Sequence, residues 1–420
     1  MTSIDLLTKK NVYFYSPGQI LPFGSGSAIR QYTNLRAYLD LGFKVEVIQF
    51  IDHEAGEDFP IDGSLEVANW YQVRFKKPQV DLFHRLAFTL GFPRSLVLDI
   101  LFPVRTAVIH DLNERLQRDP HGIYHFEYID MASAVVDNPY VNSIWSCHDI
   151  FSQRIPMLWG MRKTPAIIGS DRYHRLRLDR LRKSEDWVAK SQKLILNIAI
   201  HDNWEFCVNR HYEQAEFFPM SWIEPGTLAL SREWLQGGRL HLLHLGSIDG
   251  FIGYDSLSFI LGKVFPLLPD SQLNRIELLV AGKIGDSHYS REIMKLKEKF
   301  PQVKLLGYVE NIQELYEHAD LQLVGATRAT GLRTRIIESF VYGVPVLSTY
   351  EGAKGVAHVT PGKDILIADD APSFAAAIVE MLEYPQKLSG LAVNAQYTYQ
   401  QNYSREVARE SLKELLERYL

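Results

Sequence analysis

The chain has 420 residues, of which 46% are hydrophobic, and its formal net charge is -5. A chain of this length is expected to form two domains, or three, and its apolar content suffices for two ordinary cores. The slightly acidic balance argues against a general nucleic-acid binder, so we expect no nucleic-acid partner.

The two cysteines, Cys147 and Cys207, are too few for a disulfide framework or a cysteine-rich metal site. The N-terminal residues lack the long apolar run of a signal peptide. No uncharged apolar run approaches the roughly 18 residues of a membrane-spanning helix. These features predict a cytoplasmic protein in a reducing compartment.

Strands and helices alternate through the first half of the chain. Apolar runs and periodicity predict strands at 11–16, 44–50, 122–128, 142–150, within 188–200 and at 216–218, and helices over 27–41, most of 81–118, 171–183 and 201–212. Alternation at short spacing is typical of a parallel doubly wound sheet.

A glycine-rich loop lies between the first strand and the first long helix. It contains Gly24, Ser25 and Gly26, whose backbone N–H groups could approach a phosphate. An ordinary turn uses the same residues. The loop is not the dinucleotide fingerprint, because no third glycine follows at the required spacing.

Two segments of the first half have a possible membrane role. The segment 81–118 is unusually apolar, which fits either a lipid-facing surface or a pair of core helices. The segment 171–183 is a basic amphipathic helix, which fits either a solvated face or contact with anionic head groups or a phosphorylated acceptor. Peripheral contact with the inner face of the membrane through 172–183 therefore stays open beside a solvated face.

His148 and Asp149 end the strand predicted at 142–150. In open α/β sheets, ligands bind outside the carboxyl ends of the strands, so His148 would point at the ligand. A single histidine is also common as a structural residue. We therefore take His148 as a candidate acceptor-side residue, with Asp149 as its partner.

The second half repeats the alternation after a linker rich in proline and glycine. Strands are predicted at 239–245, 275–281, 303–309, 321–324, 346–348 and 364–368, and helices over 257–265, 290–300, 312–318, 332–342, 372–383 and 404–419. We expect an N-terminal domain over 1–225 and a C-terminal domain over 238–403, with the final helix, 404–420, returning to the first.

The helix predicted over 332–342 begins with two arginines, Arg333 and Arg335. Cations there oppose the helix dipole, which favours negative charge at an N-terminus. They are explained if an anion binds between them and the backbone N–H groups of Gly331 and Leu332. Arginine also suits bidentate phosphate contact.

Glu338 follows Arg335 by about one turn, where its carboxylate could accept hydrogen bonds from ribose hydroxyls. The spacing alone leaves an ordinary surface pair between Arg335 and Glu338 equally open.

The run GLRTRIIESFVYGVPVLST resembles the donor-site motif of the retaining glycosyltransferases of family four, which have the GT-B fold. HLGSIDGF, LLVAGKIGD and VKLLGYVENIQELYEHADL resemble other segments of the same domain, whereas the first domain resembles the family much less. The resemblance implies that Glu338 holds the nucleotide ribose. It also implies that His148 lies near the acceptor hydroxyl and the transferred sugar, and that the loop of Gly24, Ser25 and Gly26 faces the substrates.

Two departures from the family pattern stand out. Many members carry a further glutamate where this chain has Thr330. The family also often places a basic pair just after the turn at Ser247, and none occurs here. Lys283, Arg333 and Arg335 would have to supply that charge to the diphosphate.

The resemblance implies an α/β protein with two Rossmann-like doubly wound parallel-sheet domains facing a cleft. It would transfer a sugar, with retention, from a nucleotide-diphosphate donor to a hydroxyl of a glycan or lipid-linked acceptor. No cofactor or metal is expected, since no His, Asp or Glu cluster has ligand spacing and arginines can neutralise the diphosphate. A GT-B epimerase or phosphorylase remains open, as does a degenerate sugar-nucleotide-binding or partner subunit without transfer activity.

Overall fold

The structure is a computed structural model, and it describes residues 3–21, 26–54, 65–77, 90–91, 94–138, 140–159, 171–223 and 233–420. The chain divides into two compact units. The first comprises Met1–Ser221 together with Arg405–Leu420, and the second comprises Trp222–Ser404.

The first unit is built on a sheet of seven parallel strands. In chain order these are β1 Asn11–Ser16, β2 Lys44–Asp52, β3 Asn69–Phe75, β4 Ile123–Glu127, β5 Ser143–Cys147, β6 Leu194–Asn197 and β7 Ala215–Phe217. Their order across the sheet is β3-β2-β1-β4-β5-β6-β7. This order extends the dinucleotide-binding arrangement, in which ligands gather at the carboxyl ends of the strands.

Helices connect these strands. The described ones are α1 Ser3–Leu7, α2 Gly26–Asp40, α3 Arg94–Leu101, α4 Arg105–Arg118, α5 Tyr128–Ala132, α6 Phe151–Trp159, α7 Asp171–Ser191 and α8 Ile200–Trp204, with a 3₁₀ turn at Ser133–Asp137 and a π turn at Glu205–Asn209.

Both faces of the first sheet are buried, which explains why β1 is apolar without alternation. Val12 and Phe14 face one core, and Tyr13 and Tyr15 face the other. The last helix of the chain, Arg405–Tyr419, contributes its apolar side to the core of Val12 and Phe14.

The second unit has six parallel strands. These are β8 Leu240–Leu245, β9 Ile276–Ala281, β10 Val303–Gly307, β11 Leu321–Val324, β12 Val346–Ser348 and β13 Leu366–Ile367. They follow the same order, β10-β9-β8-β11-β12-β13. The predicted α/β class, with two Rossmann-like parallel sheets, is confirmed.

The helices of the second unit complete the alternation. They are α9 Phe251–Phe259, α10 Asp270–Leu273, α11 His288–Lys297, α12 Ile312–His318, α13 Thr334–Val341, α14 Tyr350–Ala353, α15 Ala371–Glu383 and α16 Gln386–Asn402, with turns of other helix types at Gln236–Gly238, Ile260–Val264 and Phe265–Leu267; the last helix, in the first unit, is α17 Arg405–Tyr419.

Two predictions of secondary structure were wrong. The strand Asn69–Phe75 was missed, because an edge strand that is only partly buried carries no continuous apolar run. The helix predicted to begin at residue 257 begins at Phe251, because Gly250 and Gly253 were taken as turn residues. Part of the segment 81–118 lies outside the described residues. Within the described ranges, no helix has both the length and the apolar character needed to cross a membrane.

Candidate functional site

The second unit brings two glycine turns into contact at the carboxyl ends of β8 and β9. Gly246 and Gly282 have φ values of +134° and +149°, a region that side chains avoid. A Cβ atom on Gly282 would lie 2.3 Å from the carbonyl oxygen of Gly246. The two backbones therefore touch at the strand ends, where this fold binds ligands.

Ser247 and Lys283 hold these turns together. The Ser247 hydroxyl donates to the Lys283 carbonyl over 3.2 Å and accepts from the Asp249 N–H over 3.2 Å. The Ile248 N–H also donates to the Lys283 carbonyl, over 3.1 Å. Ser247 thus has a structural task in the turn, while the Lys283 side chain is exposed.

The Arg335 guanidinium lies directly against Gly246. A Cβ atom on Gly246 would stand 2.7 Å from Nη2 of Arg335, so only a glycine admits the arginine in this position. Within the described part of the chain, Arg335 has no hydrogen-bond acceptor and no carboxylate at ion-pair distance. Burial, followed by repulsion from Arg333, lowers the pKa of Arg335 to about 10, although Tyr316 and Glu338 act in the opposite direction.

Arg333 precedes the helix Thr334–Val341 and is buried, whereas Arg335 is half-buried. Its guanidinium donates to the carbonyl of Thr330, and Gly331 adopts a φ of +65° between them. Leu332 is buried beside them. The loop therefore delivers both arginines to the amino end of one helix, where backbone N–H groups favour an anion.

Glu338 lies one turn further along this helix and is only 7% exposed. Burial raises its pKa to about 8, although the hydroxyl of Tyr316 and the charge of Arg335 act to lower it. No ion pair joins Glu338 to Arg335 among the described residues, so the open alternative of a surface pair does not apply. A buried carboxyl without an ion pair is suited to hydrogen bonding with a ligand.

His244 and Tyr316 belong to the same region and were missed in the sequence. His244, the penultimate residue of β8, is fully buried, and its Nε2 has no hydrogen-bond partner among the described residues. Burial and Arg335 lower the pKa of His244 to about 3, so its ring is neutral. His244 lies two residues before Gly246, but it is part of the apolar strand RLHLLHL, and nothing in that pattern marked it as a site residue.

In the first unit, His148 follows β5, and Glu127 ends the neighbouring strand β4. Nε2 of His148 lies 2.6 Å from a carboxylate oxygen of Glu127. The other carboxylate oxygen lies 3.0 Å from Nε2 of His125 and 2.7 Å from Nδ2 of Asn34. Glu127 is fully buried, so hydrogen bonds from these three partners, and not from water, satisfy its carboxylate.

Tyr128 covers the other side of His148. The two rings stack with centroids 3.9 Å apart and planes 21° from parallel. Tyr128 has a φ of +66°, an uncommon conformation for a bulky residue. Its hydroxyl pairs with Ser27, in the first turn of the helix that Gly26 begins. Gly24 and Ser25 lie outside the described residues.

Asp149 is not the partner of His148, contrary to the sequence expectation. Its carboxylate pairs with Arg154 over 3.2 Å. The carboxylate partner of His148 comes instead from the adjacent parallel strand, because neighbouring strands place residues side by side whereas successive residues diverge. Glu127 and Tyr128 could have been suspected only from their place at the end of the strand GIYHFEY.

Among the described residues, no group of three or more His, Cys, Asp or Glu side chains is placed to hold a metal ion. The charge available to an anion at the second sheet comes from Arg333, Arg335 and the helix amino end.

Comparison with known proteins agrees with this geometry. Residues 239–384, which include both glycine turns and the arginine helix, match the family model of glycosyl transferases group 1. Comparison with curated protein sequences finds no significant match. The segment 239–384 is thus a glycosyl transferases group 1 domain.

Solved structures with the same fold cover almost the whole chain. Sucrose-phosphate synthase from Thermosynechococcus elongatus superposes with a TM-score of 0.70 at 14% identity, over 97% of this chain and 98% of that one. HepE from Anabaena, in complex with UDP and glucose, gives 0.65 at 15% identity, over 97% and 99%. The UDP-forming α,α-trehalose-phosphate synthase from Burkholderia xenovorans, in complex with glucose-6-phosphate, gives 0.66 at 13%, over 97% and 100%.

These neighbours are GT-B glycosyltransferases, and the chain shares their fold. The shared fold and the match of residues 239–384 to the group 1 model support a glycosyltransferase.

Proposed function

We propose that this glycosyltransferase is retaining and metal-independent, and that it moves a sugar from a nucleotide-diphosphate donor to an acceptor hydroxyl. Its role would be the synthesis of a glycan, polysaccharide or glycolipid. One observation carries the proposal: the guanidinium of the half-buried Arg335 lies against Gly246 and has no carboxylate partner among the described residues. A partly desolvated cation without a protein counter-charge is suited to an anionic ligand.

The diphosphate gains charge when the bond from the sugar carbon to the phosphate oxygen breaks. Arg333, Arg335 and the amino end of the helix Thr334–Val341 are fixed in place before that charge develops. Preorganised donors of this kind stabilise a leaving group without reorganisation during the reaction. The two arginines supply the charge that a divalent cation supplies in other transferases, which supports metal-independent transfer.

Glu338 is the proposed ribose ligand. Ribose offers two adjacent hydroxyls as donors, and the carboxyl group of Glu338, once ionised, offers two acceptor oxygens. Because Glu338 is buried and has no ion pair among the described residues, ribose hydroxyls would satisfy oxygens that otherwise bear a desolvation cost.

His148 in the first unit is the proposed residue on the acceptor side. In the proposed front-face reaction, the acceptor oxygen forms its bond to the sugar carbon on the face that the diphosphate leaves. The acceptor proton passes to the departing phosphate oxygen. His148 would orient a sugar hydroxyl, and no strong protein base is needed.

Calorimetric titration with UDP, GDP, ADP and TDP tests the donor site, with UDP first because HepE is known in complex with UDP. We expect one nucleotide to bind, and Arg335→Ala and Glu338→Ala each to weaken it by about tenfold to a hundredfold. Arg291→Ala is the matched control, since Arg291 is an exposed arginine of the same unit that pairs with Asp286. If no nucleotide binds, or if the control weakens binding equally, the proposed donor site is wrong.

The stereochemistry and the transfer itself need a second experiment. The cognate nucleotide sugar is mixed with candidate acceptors, and the anomeric configuration of the product is read by proton NMR. Retention of the donor configuration is expected, and an inverted product refutes the retaining mechanism. If the nucleotide sugar binds but no nucleotide diphosphate is released, either with any acceptor or with water alone, the partner-subunit alternative is favoured.

Peripheral membrane contact through 172–183 is the second part of the proposal. On the helix Asp171–Ser191, Arg182 and Lys183 are exposed, and Lys183 pairs over 3.0 Å with Asp179. Sedimentation with vesicles of phosphatidylcholine and phosphatidylglycerol tests the contact. We expect the double variant Arg182→Glu, Lys183→Glu to lose binding and the control Lys295→Glu, Lys297→Glu, on a helix of the second unit, to keep it. Equal binding of all three proteins contradicts the contact.

A further inference from the structure

The proposed reaction uses His148 but does not explain the buried hydrogen-bond network behind it. Glu127 stands at the centre of this network, with no exposed surface. It receives Nε2 of His148, Nε2 of His125 and Nδ2 of Asn34 at 2.6, 3.0 and 2.7 Å. Burying a carboxylate costs free energy unless its hydrogen bonds compensate. The burial of Glu127 beside the proposed substrate-binding histidine therefore suggests a functional role for this network.

The charge state of Glu127 follows from its partners. Burial acts to raise the pKa of Glu127, but hydrogen bonds from His125 and His148 outweigh it and hold the pKa well below its ordinary value. The buried Arg30 interacts with this charge, and one of its nitrogens donates to the Pro219 carbonyl over 3.3 Å. With Arg30 as a counter-charge, Glu127 is ionised.

An ionised carboxylate can only accept hydrogen bonds, so each histidine must donate to it from Nε2. For His125 this assignment is complete, because the Tyr38 hydroxyl, 3.0 Å from Nδ1, donates to that nitrogen. In the neutral ring of His148, the same assignment leaves Nδ1 as the unprotonated nitrogen, which can accept a hydrogen bond. Nδ1 of His148 has no partner among the described residues and is not among the fully buried polar atoms.

The ring of His148 cannot easily turn to exchange its two nitrogens. Tyr128 stacks on it at 3.9 Å. Tyr128 is itself held by its hydroxyl at Ser27 and adopts a strained φ of +66°. Strain of this kind persists where the surroundings over-determine it, and it is frequent at functional sites.

We infer that Glu127 is a positioning residue, which fixes His148 in the Nε2–H tautomer and presents its Nδ1 as a hydrogen-bond acceptor for a substrate hydroxyl. The identity of that hydroxyl, on the acceptor or on the transferred sugar, rests on the proposed function. The tautomer itself does not, because it follows from the network alone. His148 therefore selects a donor group, such as a sugar hydroxyl, over a carbonyl or a phosphate oxygen.

Nitrogen NMR of ¹⁵N-histidine protein, at about pH 8 where neutral imidazole predominates, reads the tautomer directly. The His148 signals are assigned by their absence from His148→Gln. In the wild type we expect protonated Nε2 and unprotonated Nδ1. In Glu127→Gln the amide can also donate, so we expect His148 to shift toward the Nδ1–H tautomer. A wild-type His148 protonated at Nδ1 overturns the inference, and this measurement stands even if the variant does not fold.

Transfer kinetics give the second readout. Glu127→Gln is expected to lower kcat on the order of a hundredfold, with the calorimetric Kd for the nucleotide unchanged. The matched control is Glu185→Gln, another fully buried carboxylate of the first unit, which bonds to Ser152 and Arg210. If the control, at equal thermal stability, lowers kcat as much, Glu127 is merely structural. If the protein transfers no sugar, the NMR experiment still determines the tautomer of His148. Failure of the proposed function and failure of the inference about Glu127 can therefore be told apart.

Discussion

The contact between Gly246 and Arg335 can be disturbed by a single methyl group. In Gly246→Ala the new Cβ would meet Nη2 of Arg335 at 2.7 Å and its Cζ at 3.1 Å. These atoms belong to the end of a flexible side chain, so the arginine moves and the backbone stays. The residue's φ of +134° adds backbone strain of about 1–3 kcal/mol. We expect a folded protein with a displaced guanidinium.

The effect on nucleotide binding should exceed what strain alone produces. Hydrogen bonds to a charged group contribute about 1.5–3 kcal/mol, so losing the arginine contact raises the nucleotide Kd by about tenfold to a hundredfold. Gly362→Ala is the matched control. Gly362 also has a positive φ, +80°, but a Cβ there meets no atom within 4 Å. It should lose about 1–2 kcal/mol of stability and keep its affinity.

Calorimetric titration with the cognate nucleotide and urea denaturation measure the two quantities separately. Wild-type affinity in a folded Gly246→Ala protein would refute the placement of the diphosphate beside Arg335. Equal losses of affinity in both glycine variants would show that binding only follows stability.

Three further predictions concern pH, packing and metal. Burial raises the pKa of Glu338 from 4.5 to about 8, so the native state binds more protons than the unfolded state between these values, and stability should fall as pH rises through them. Urea denaturation across this range should show a smaller fall for Glu338→Gln, and equal falls would contradict the buried carboxyl. Leu416→Ala should cost about 2–5 kcal/mol of unfolding free energy, because Leu416 is fully buried in the first-unit core, and a loss below about 1 kcal/mol would exclude that packing. EDTA treatment should leave transfer unchanged, whereas a loss above about tenfold that Mg²⁺ or Mn²⁺ restores would show a metal requirement.

The elements around the arginine helix could be predicted from local signals. The strand Leu321–Val324, the helix Thr334–Val341 and the strand Val346–Ser348 lie where apolar runs, Gly343 and Pro345 place them. The sequence signal failed at Gly253, which lies inside the helix Phe251–Phe259. A glycine is needed there because a Cβ atom would stand 2.1 Å from the carbonyl oxygen of Ser247. In the sequence, however, a glycine at this place indicates a turn.

Only part of the candidate site could be predicted as a group. Arg335 and Glu338 lie on one helix and Arg333 immediately precedes it, so their grouping is visible in the sequence. The pairing of Glu127 with His148 depends on how β4 and β5 register, with Glu127 opposite Ser146. Spacing along the chain does not encode that register. The sequence therefore pointed to Asp149, the adjacent residue, and not to Glu127 as the partner of His148.

The surroundings of two arginines, one in each unit, support the proposed anion site of the second unit. In the first unit, Arg210 is enclosed by the carboxylates of Glu185, Asp186 and Glu205, and these outweigh burial and raise its pKa. The pKa of Arg335 falls instead, because burial lowers it and the second cation, Arg333, lowers it further, with no carboxylate at ion-pair distance among the described residues. The first unit surrounds Arg210 with three acids, whereas the second unit leaves Arg335 beside a second arginine. The proposed diphosphate would supply the missing negative charge, and Gly246 leaves the space that the Arg335 guanidinium occupies.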